Sequence, residues 1–204
     1  FGSKWISFHL NSDTEVILAA YCRWGPTCIK RFRGMFAFGL IDRNPPSGWP
    51  NLILARDRLG IKPLVYFEHN LEIWFASELR GLLASGCLKR QIDHDALMDY
   101  LAVGAVFQPH TIIKGAKSLQ PGHWMEIRGK ERKLVNYWDL HEVTEDLRKE
   151  LKDVTFKEAL KRLSPLLQEA AQYNLTADVP VGAFLSGGID STAVVGLMGE
   201  VSAK

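Results

Sequence analysis

Residues 181–195 read VGAFLSGGIDSTAVV, and no other stretch constrains the fold as tightly. An apolar run gives way to two glycines set between a serine and an aspartate, a second serine follows, and apolar residues return at once. Residues 179–185 are rich in Val and in aromatic or aliphatic side chains, while residues 192–198 are apolar and carry helix formers, so a strand is expected to feed a helix through a glycine-rich turn. At such a junction the free backbone N–H groups and the helix dipole face the end of the strand, and glycine lets an anion approach without a Cβ in the way. That arrangement suits phosphate. No lysine follows Gly188, so the grip differs from the P-loop G-x-x-x-x-G-K-[ST]. Ser186 and Ser191 can donate hydroxyl hydrogen bonds to phosphate oxygens. Asp190 would repel a bare pyrophosphate and makes more sense as a ligand of a magnesium ion bridging it. On local chemistry alone, a plain helix start with Ser186 or Asp190 as cap remains open.

The chain of 204 residues, 47% hydrophobic, is long enough for one good core, or for one core and part of another. A formal net charge of +2 without a long basic run makes no case for nucleic acid. No stretch reaches the roughly 18 apolar residues of a membrane span and no signal-peptide pattern opens the chain, so a soluble cytoplasmic protein is expected. Cys22, Cys28 and Cys87 lack metal-ligand spacing and suit a reducing compartment as small core residues. The six histidines show no metal spacing either. The chain opens Phe1-Gly2-Ser3 without methionine and stops just past the helix after the glycines. A doubly wound sheet needs further βα units, so an internal fragment is expected.

Along the chain, Ser12-Asp13-Thr14-Glu15 before the apolar run at residues 16–21 is a capping-box pattern, and Gly25-Pro26 ends that helix. Residues 34–41, 52–57, 64–67 and 72–76 read as strands, with a loop at residues 44–48 and a hairpin tip at His69-Asn70. Successive strands without intervening helices predict an antiparallel sheet. Arg56, Asp57 and Arg58 read as an ion-pair cluster at a strand end. Helices are expected near residues 77–84 and 93–103, capped by Ser77 and Asp93. Gln120-Pro121-Gly122 is a turn before an alternating strand at residues 123–128. Residues 139–154 are densely charged, and from Thr155 a helical pattern with Phe156, Leu160, Leu163 and Leu167 takes over. Pro165 predicts either a kink there or a second helix capped by Ser164. The domain boundary is expected in the charged stretch.

Ser186-Gly187-Gly188-Ile189-Asp190-Ser191 resembles the S-G-G-x-D-S loop of the ATP pyrophosphatase family, which cleaves ATP between its α and β phosphates and adenylates an oxygen of the substrate. Ser12-Asp13-Thr14-Glu15, Gly34-Met35-Phe36-Ala37-Phe38, the stretch RDRLGIKPL at residues 56–64, and Ala76-Ser77-Glu78-Leu79 resemble the class II glutaminase domain. In order and spacing the two together are most similar to glutamine-hydrolysing asparagine synthetases. The resemblance implies an α+β fold: an incomplete N-terminal-nucleophile hydrolase-like αββα sandwich over residues 1–139, then a charged linker over residues 140–154. The start of an α/β ATP pyrophosphatase-type domain follows over residues 155–204.

Site residues carry over only where the motifs match. The family's glutaminase nucleophile is an N-terminal cysteine with its own α-amine as base, and neither it nor the downstream arginine and Asn-Gly-Glu segment is present, so no catalytic residue is assigned and the chain alone is expected to be inactive. Asp13 is expected to bind the α-ammonium of glutamine; otherwise it is a first-turn acid favoured by the helix dipole. Leu185, Ser186, Gly187, Gly188, Asp190 and Ser191 are expected at ATP and its pyrophosphate, with magnesium on Asp190. The resemblance implies ammonia released from glutamine and passed to a β-aspartyl-AMP made from aspartate and ATP. The expected cofactors are ATP and Mg2+, and a homodimer is a candidate assembly. A relative acting on another carboxylate, such as a β-lactam synthetase or a peptide-tailoring cyclase, and a non-catalytic degenerate homologue are the alternatives.

Overall fold

Ser12 opens helix α1 (Asp13–Trp24): its hydroxyl accepts the N–H of Thr14 at 3.3 Å, and its carbonyl accepts the N–H of Glu15 at 3.1 Å. The computed structural model describes residues 12–43, 51–177 and 179–202, so the loop expected at residues 44–48 lies outside the described residues. Gly25, at φ 60°, ends α1, and a 3-10 turn over Gly25–Arg31 follows with Pro26 at its start. Strands β1 (Ala37–Asp42), β2 (Asn51–Arg56), β3 (Val65–His69) and β4 (Glu72–Ala76) come in succession. β3 and β4 pair through Asn70 and Leu71, both at positive φ, a two-residue turn one position later than expected. Helices α2 (Leu79–Ala84) and α3 (His94–Val103) precede β5 (Ala116–Ser118), β6 (His123–Arg128) and β7 (Glu131–Asn136). Asp93 caps α3 as expected, accepting from the N–H groups of Asp95 and Ala96, whereas α2 starts after Glu78 rather than at Ser77.

The strands form two antiparallel sheets, in the orders β1-β2-β6-β7 and β4-β3-β5. Period-two alternation along β2 explains how they stack. Ile53 and Ala55 join Ala20, Cys28, Ile29, Leu40 and Trp124 beneath α1 and the 3-10 turn. Leu54, on the opposite face, joins Leu64, Tyr66, Leu119, Met125 and Ile127 between the sheets. Val65 and Ala116 bury the outer face of the second sheet against Leu82 of α2 and Leu88. Helix, sheet, sheet and helix thus follow one another. Ile53 and Leu54, 1% and 0% exposed, each contribute about 2 kcal/mol by burial.

Arg56 and Asp57 are buried, but they do not pair with each other. Arg56 donates to the carbonyls of Lys62 (2.8 Å), Gly60 (2.8 Å) and Leu119 (2.6 Å), to Gln108 Oε1 (2.9 Å) and to Ser118 Oγ (3.1 Å). The Asp57 carboxylate accepts the backbone N–H groups of Phe36, Leu59, Ile61 and Lys62 at 3.0–3.2 Å. Neighbouring strand residues face opposite sides of a sheet, so the expected ion-pair cluster is instead two loop clamps set back to back. Arg58 donates to the Lys30 carbonyl at 3.3 Å. Of the cysteines only Cys28 lies in the core; Cys22 and Cys87 are exposed.

Gly122 closes the same region. At φ 67° it donates its N–H to the Asp57 carbonyl (2.9 Å), and its own carbonyl accepts the N–H groups of Tyr137 (2.8 Å) and Trp138 (3.3 Å). A Cβ here would run into the Trp138 carbonyl oxygen, which is backbone and cannot swing aside. Gly122→Ala is expected to destabilise the first unit by about 3 kcal/mol, part from the left-handed conformation and the rest from displaced loops. Urea unfolding read by tryptophan fluorescence checks it, because all six tryptophans precede residue 139. An unchanged midpoint would show that the loops yield freely.

The chain divides into two compact units, Phe1–Leu140 and His141–Lys204. At the boundary, most of the charged stretch expected as a linker is helical, α4 (Leu140–Glu150), with pairs Arg148–Glu145 (3.0 Å) and Lys149–Asp146 (3.3 Å) one turn apart. Thr155 and Glu158 form a reciprocal capping box at the start of α5 (Phe156–Asn174), and the N–H and hydroxyl of Thr155 hold the Glu158 carboxyl below its ordinary range. α5 runs on through Pro165, so Ser164 caps no second helix. α6 (Ile189–Ser202) packs along α5, and Gln168 Nε2 donates to Glu200 Oε2 at 3.1 Å. Residues 179–185 do not form the expected strand. Among the described residues the second unit holds no strand for them to pair with, and an unpaired strand leaves its backbone groups to water.

Candidate functional site

The loop before α6 is built by hydrogen bonds to one carbonyl. Gly188 O accepts the N–H of Thr192 (3.1 Å), the Thr192 hydroxyl (2.8 Å) and the Ser191 hydroxyl (3.0 Å). Ser186 Oγ and Ser191 Oγ lie 3.0 Å apart, which folds the loop back over the helix start. Gly187, at φ 79°, makes this reversal, and the space beside it is open: a Cβ there would meet nothing within 4 Å. The first N–H groups of a helix have no partner within it. Here they meet a mouth lined by two glycines and the hydroxyls of Ser186 and Ser191, and because the Ser191 proton is directed at Gly188 O, the helix-start N–H groups are the donors matched to an anion.

Asp190 sits in the first turn of α6 and is exposed, as are Leu185, Ser186, Gly187 and Gly188, while Ser191 is half-buried. The sequence-expected residues are therefore brought together on one helix end. Among the described residues no group of three or more His, Cys, Asp or Glu could hold a metal by itself. One carboxylate beside an anion mouth nevertheless fits magnesium, which binds through one or two carboxylates together with phosphate oxygens. Thr192 was not anticipated. Its hydroxyl and N–H lock the turn, and a threonine directly after the second serine, able to bond back to the carbonyl four residues earlier, is the signal that could have revealed it.

In the first unit, Asp13 is the exposed first acid of α1, and Glu15 stands beside it in the same turn. The cysteines supply no nucleophile of the N-terminal type: all three lie inside the chain, and burial pushes the Cys28 thiol up in pKa, away from the reactive thiolate. Among the described residues no helix is long and apolar enough to cross a membrane.

Comparison with known proteins agrees with this two-part arrangement. The family model for the glutamine amidotransferase domain matches residues 3–138, and that for asparagine synthase matches residues 162–204. The first unit thus defines a glutamine amidotransferase domain. Taken with relatives matched across 93% of its length, the chain belongs to the glutamine-hydrolysing asparagine synthetase family. It is 37% identical to a putative glutamine-hydrolysing asparagine synthetase of Methanocaldococcus jannaschii, over 93% of this chain and 35% of that protein. A Bacillus subtilis asparagine synthetase is 33% identical over 93% of this chain and 29% of its own length. A Gibberella zeae protein named amidase chry2 is 36% identical over 94% of this chain and 27% of its own. The chain spans about a third of the length of these curated relatives.

Proposed function

We propose that this chain belongs to a protein that makes asparagine from aspartate, ATP and glutamine. The observation that carries the reading is the order of parts: a glutamine amidotransferase domain followed by an S-G-G-x-D-S loop at a helix start, within a segment matched to asparagine synthase. The first domain, residues 1–139, is of the N-terminal-nucleophile αββα type and releases ammonia from glutamine. Residues 140–154 connect it to an ATP pyrophosphatase-type domain that begins at residue 155. Asp13 holds the α-ammonium of glutamine by charge-assisted hydrogen bonding. Leu185, Ser186, Gly187, Gly188, Ser191 and Asp190 line the ATP site, with Asp190 toward magnesium.

The chemistry follows from charge. A carboxylate oxygen is a poor leaving group, and attack of the aspartate β-carboxylate on the ATP α-phosphorus makes it one, giving β-aspartyl-AMP and pyrophosphate. Ammonia then displaces AMP. The hydroxyls of Ser186 and Ser191 and the N–H groups at the start of α6 are placed where charge grows on the departing pyrophosphate. Magnesium supplies Lewis-acid neutralisation of the same charge. The thiols of Cys22, Cys28 and Cys87 are free, which suits the reducing cytoplasm. The partners are small molecules and, as an assembly, a second copy of the chain, with no nucleic acid or membrane.

The measurement that tests this reading separates the two nitrogen sources in the full-length protein. Asp13→Ala is expected to raise the KM for glutamine about tenfold or more while free ammonium still supports asparagine formation at the wild-type rate, because the defect is confined to the first site. Equal loss with both donors would make Asp13 a structural acid of α1. A second reading is favoured by the relatives named amidases, chry2 and the Penicillium rubens amidase chyE, the latter 34% identical over 93% of this chain: the same two-step chemistry on a carboxylate other than that of aspartate. Pyrophosphate release that ignores aspartate but responds to another carboxylate would select it.

A further inference from the structure

The carbonyl at the head of α6 carries one donor more than it needs. A carbonyl oxygen has two lone pairs, and three donors converge on Gly188 O: the N–H of Thr192 at 3.1 Å, the Thr192 hydroxyl at 2.8 Å and the Ser191 hydroxyl at 3.0 Å. The N–H belongs to the helix ladder and stays with α6. The two hydroxyls share what is left, and the shorter contact is that of Thr192.

The Ser191 proton is therefore the surplus one, and a second proton depends on it. A hydroxyl has one proton to give. With that of Ser191 turned to Gly188 O, the 3.0 Å contact between Ser186 Oγ and Ser191 Oγ is filled by the Ser186 proton. Both serine protons thus point into the loop rather than out of its mouth. Turning the Ser191 hydroxyl outward frees the Ser186 proton with it, while Gly188 O keeps two donors, both from Thr192. The glycines leave the space for this turn: a Cβ on Gly188 would stand 3.5 Å from Ser186 Oγ and 3.9 Å from Ser191 Oγ, and nothing lies within 4 Å of one on Gly187.

We infer that Thr192 is a positioning residue for the pyrophosphate part of ATP: its hydroxyl keeps Gly188 O satisfied, so that Ser191, and through it Ser186, can turn a proton to a phosphate oxygen. The inference rests on the reading of this loop as the ATP site. Thr192 acts through Ser191 and needs no contact with the phosphate. Without its hydroxyl, Gly188 O has two donors for two lone pairs, and turning Ser191 away costs a hydrogen bond.

Calorimetric titration of the full-length protein with magnesium pyrophosphate reads the effect. Thr192 is exposed and valine has its shape, so the fold is kept. Thr192→Val is expected to weaken binding about fivefold, the equivalent of one net hydrogen bond, and Thr192→Ala, which also lacks the hydroxyl, should do the same. Thr192→Ser keeps the hydroxyl and should restore affinity to within about twofold of the wild type. The double-mutant cycle separates this role from a structural one: added to Ser191→Ala, where there is no proton to release, Thr192→Val should change affinity less than about twofold. Wild-type affinity in Thr192→Val, or an equal loss with and without Ser191→Ala, would overturn the inference and leave Thr192 as a residue of the helix start alone. Undiminished pyrophosphate binding in Ser191→Ala by itself would instead remove the ATP-site reading, and the inference with it.

Discussion

Asparagine in place of Asp190 is expected to cut pyrophosphate release from ATP, aspartate and ammonium about 100-fold or more in the full-length protein, while glutamate release from glutamine alone continues. The exchange removes one negative charge with almost no change in volume. Two contributions of Asp190 are separable by size. As a first-turn acid it stabilises α6 by about 0.3–1 kcal/mol through the helix dipole, too little to unfold a domain. As the proposed magnesium ligand it would act on charge that develops in the transition state, where the loss would be several kcal/mol. The Asp190 side chain is exposed, and the hydrogen bonds that shape the loop run through Ser186, Gly188, Ser191 and Thr192, so the mouth survives the substitution. Normal pyrophosphate release in a folded Asp190→Asn protein would show that the residue serves only the helix end.

The sequence makes the strands of the first unit legible because burial imposes a period. β2 alternates between two apolar layers, so nearly every residue in it is hydrophobic and the strand stands out; β7 is an edge strand with Lys133 and Leu134 exposed, and its charged composition hides it. The Gly187-Gly188 turn and α6 are readable for a different reason: backbone geometry at φ 79° and a helix start require particular residue types locally. What composition conceals is whatever depends on distant partners. The helix within residues 139–154 is hidden because their charges are read singly, yet pairs one turn apart support it. Residues 179–185 look like a strand because they are apolar and β-branched, but a strand exists only with a neighbour. Arg56 and Asp57 look like an ion pair because they are adjacent, whereas adjacency in a strand sends them to opposite faces.

That last difference has the largest expected consequence for stability. Arg56→Met is expected to destabilise the first unit by about 4 kcal/mol. Replacing both members of a buried charged pair by apolar residues is often harmless, since the desolvation cost disappears with the charges. Here only the cation is removed. The carbonyls of Gly60, Lys62 and Leu119 stay where the backbone holds them and lose their donor, and Gln108 and Ser118 lose theirs as well. Burial lowers the Arg56 pKa while the nearby Asp57 charge opposes that shift, and arginine remains charged throughout the accessible range. Arg56→Lys should recover little of the loss, because one ammonium has three donors at a single point and cannot span acceptors set around a planar fork. For a domain whose whole stability is about 5–15 kcal/mol, the thermal midpoint should fall by roughly 15 °C. Tryptophan fluorescence reports it cleanly, with all six tryptophans in the first unit. The expected order of midpoints is wild type, then Arg56→Lys, then Arg56→Met; a Met variant that melts with the wild type would mean that water replaces the guanidinium without cost, and the clamp between residues 60–62 and 118–119 would not be what holds these loops.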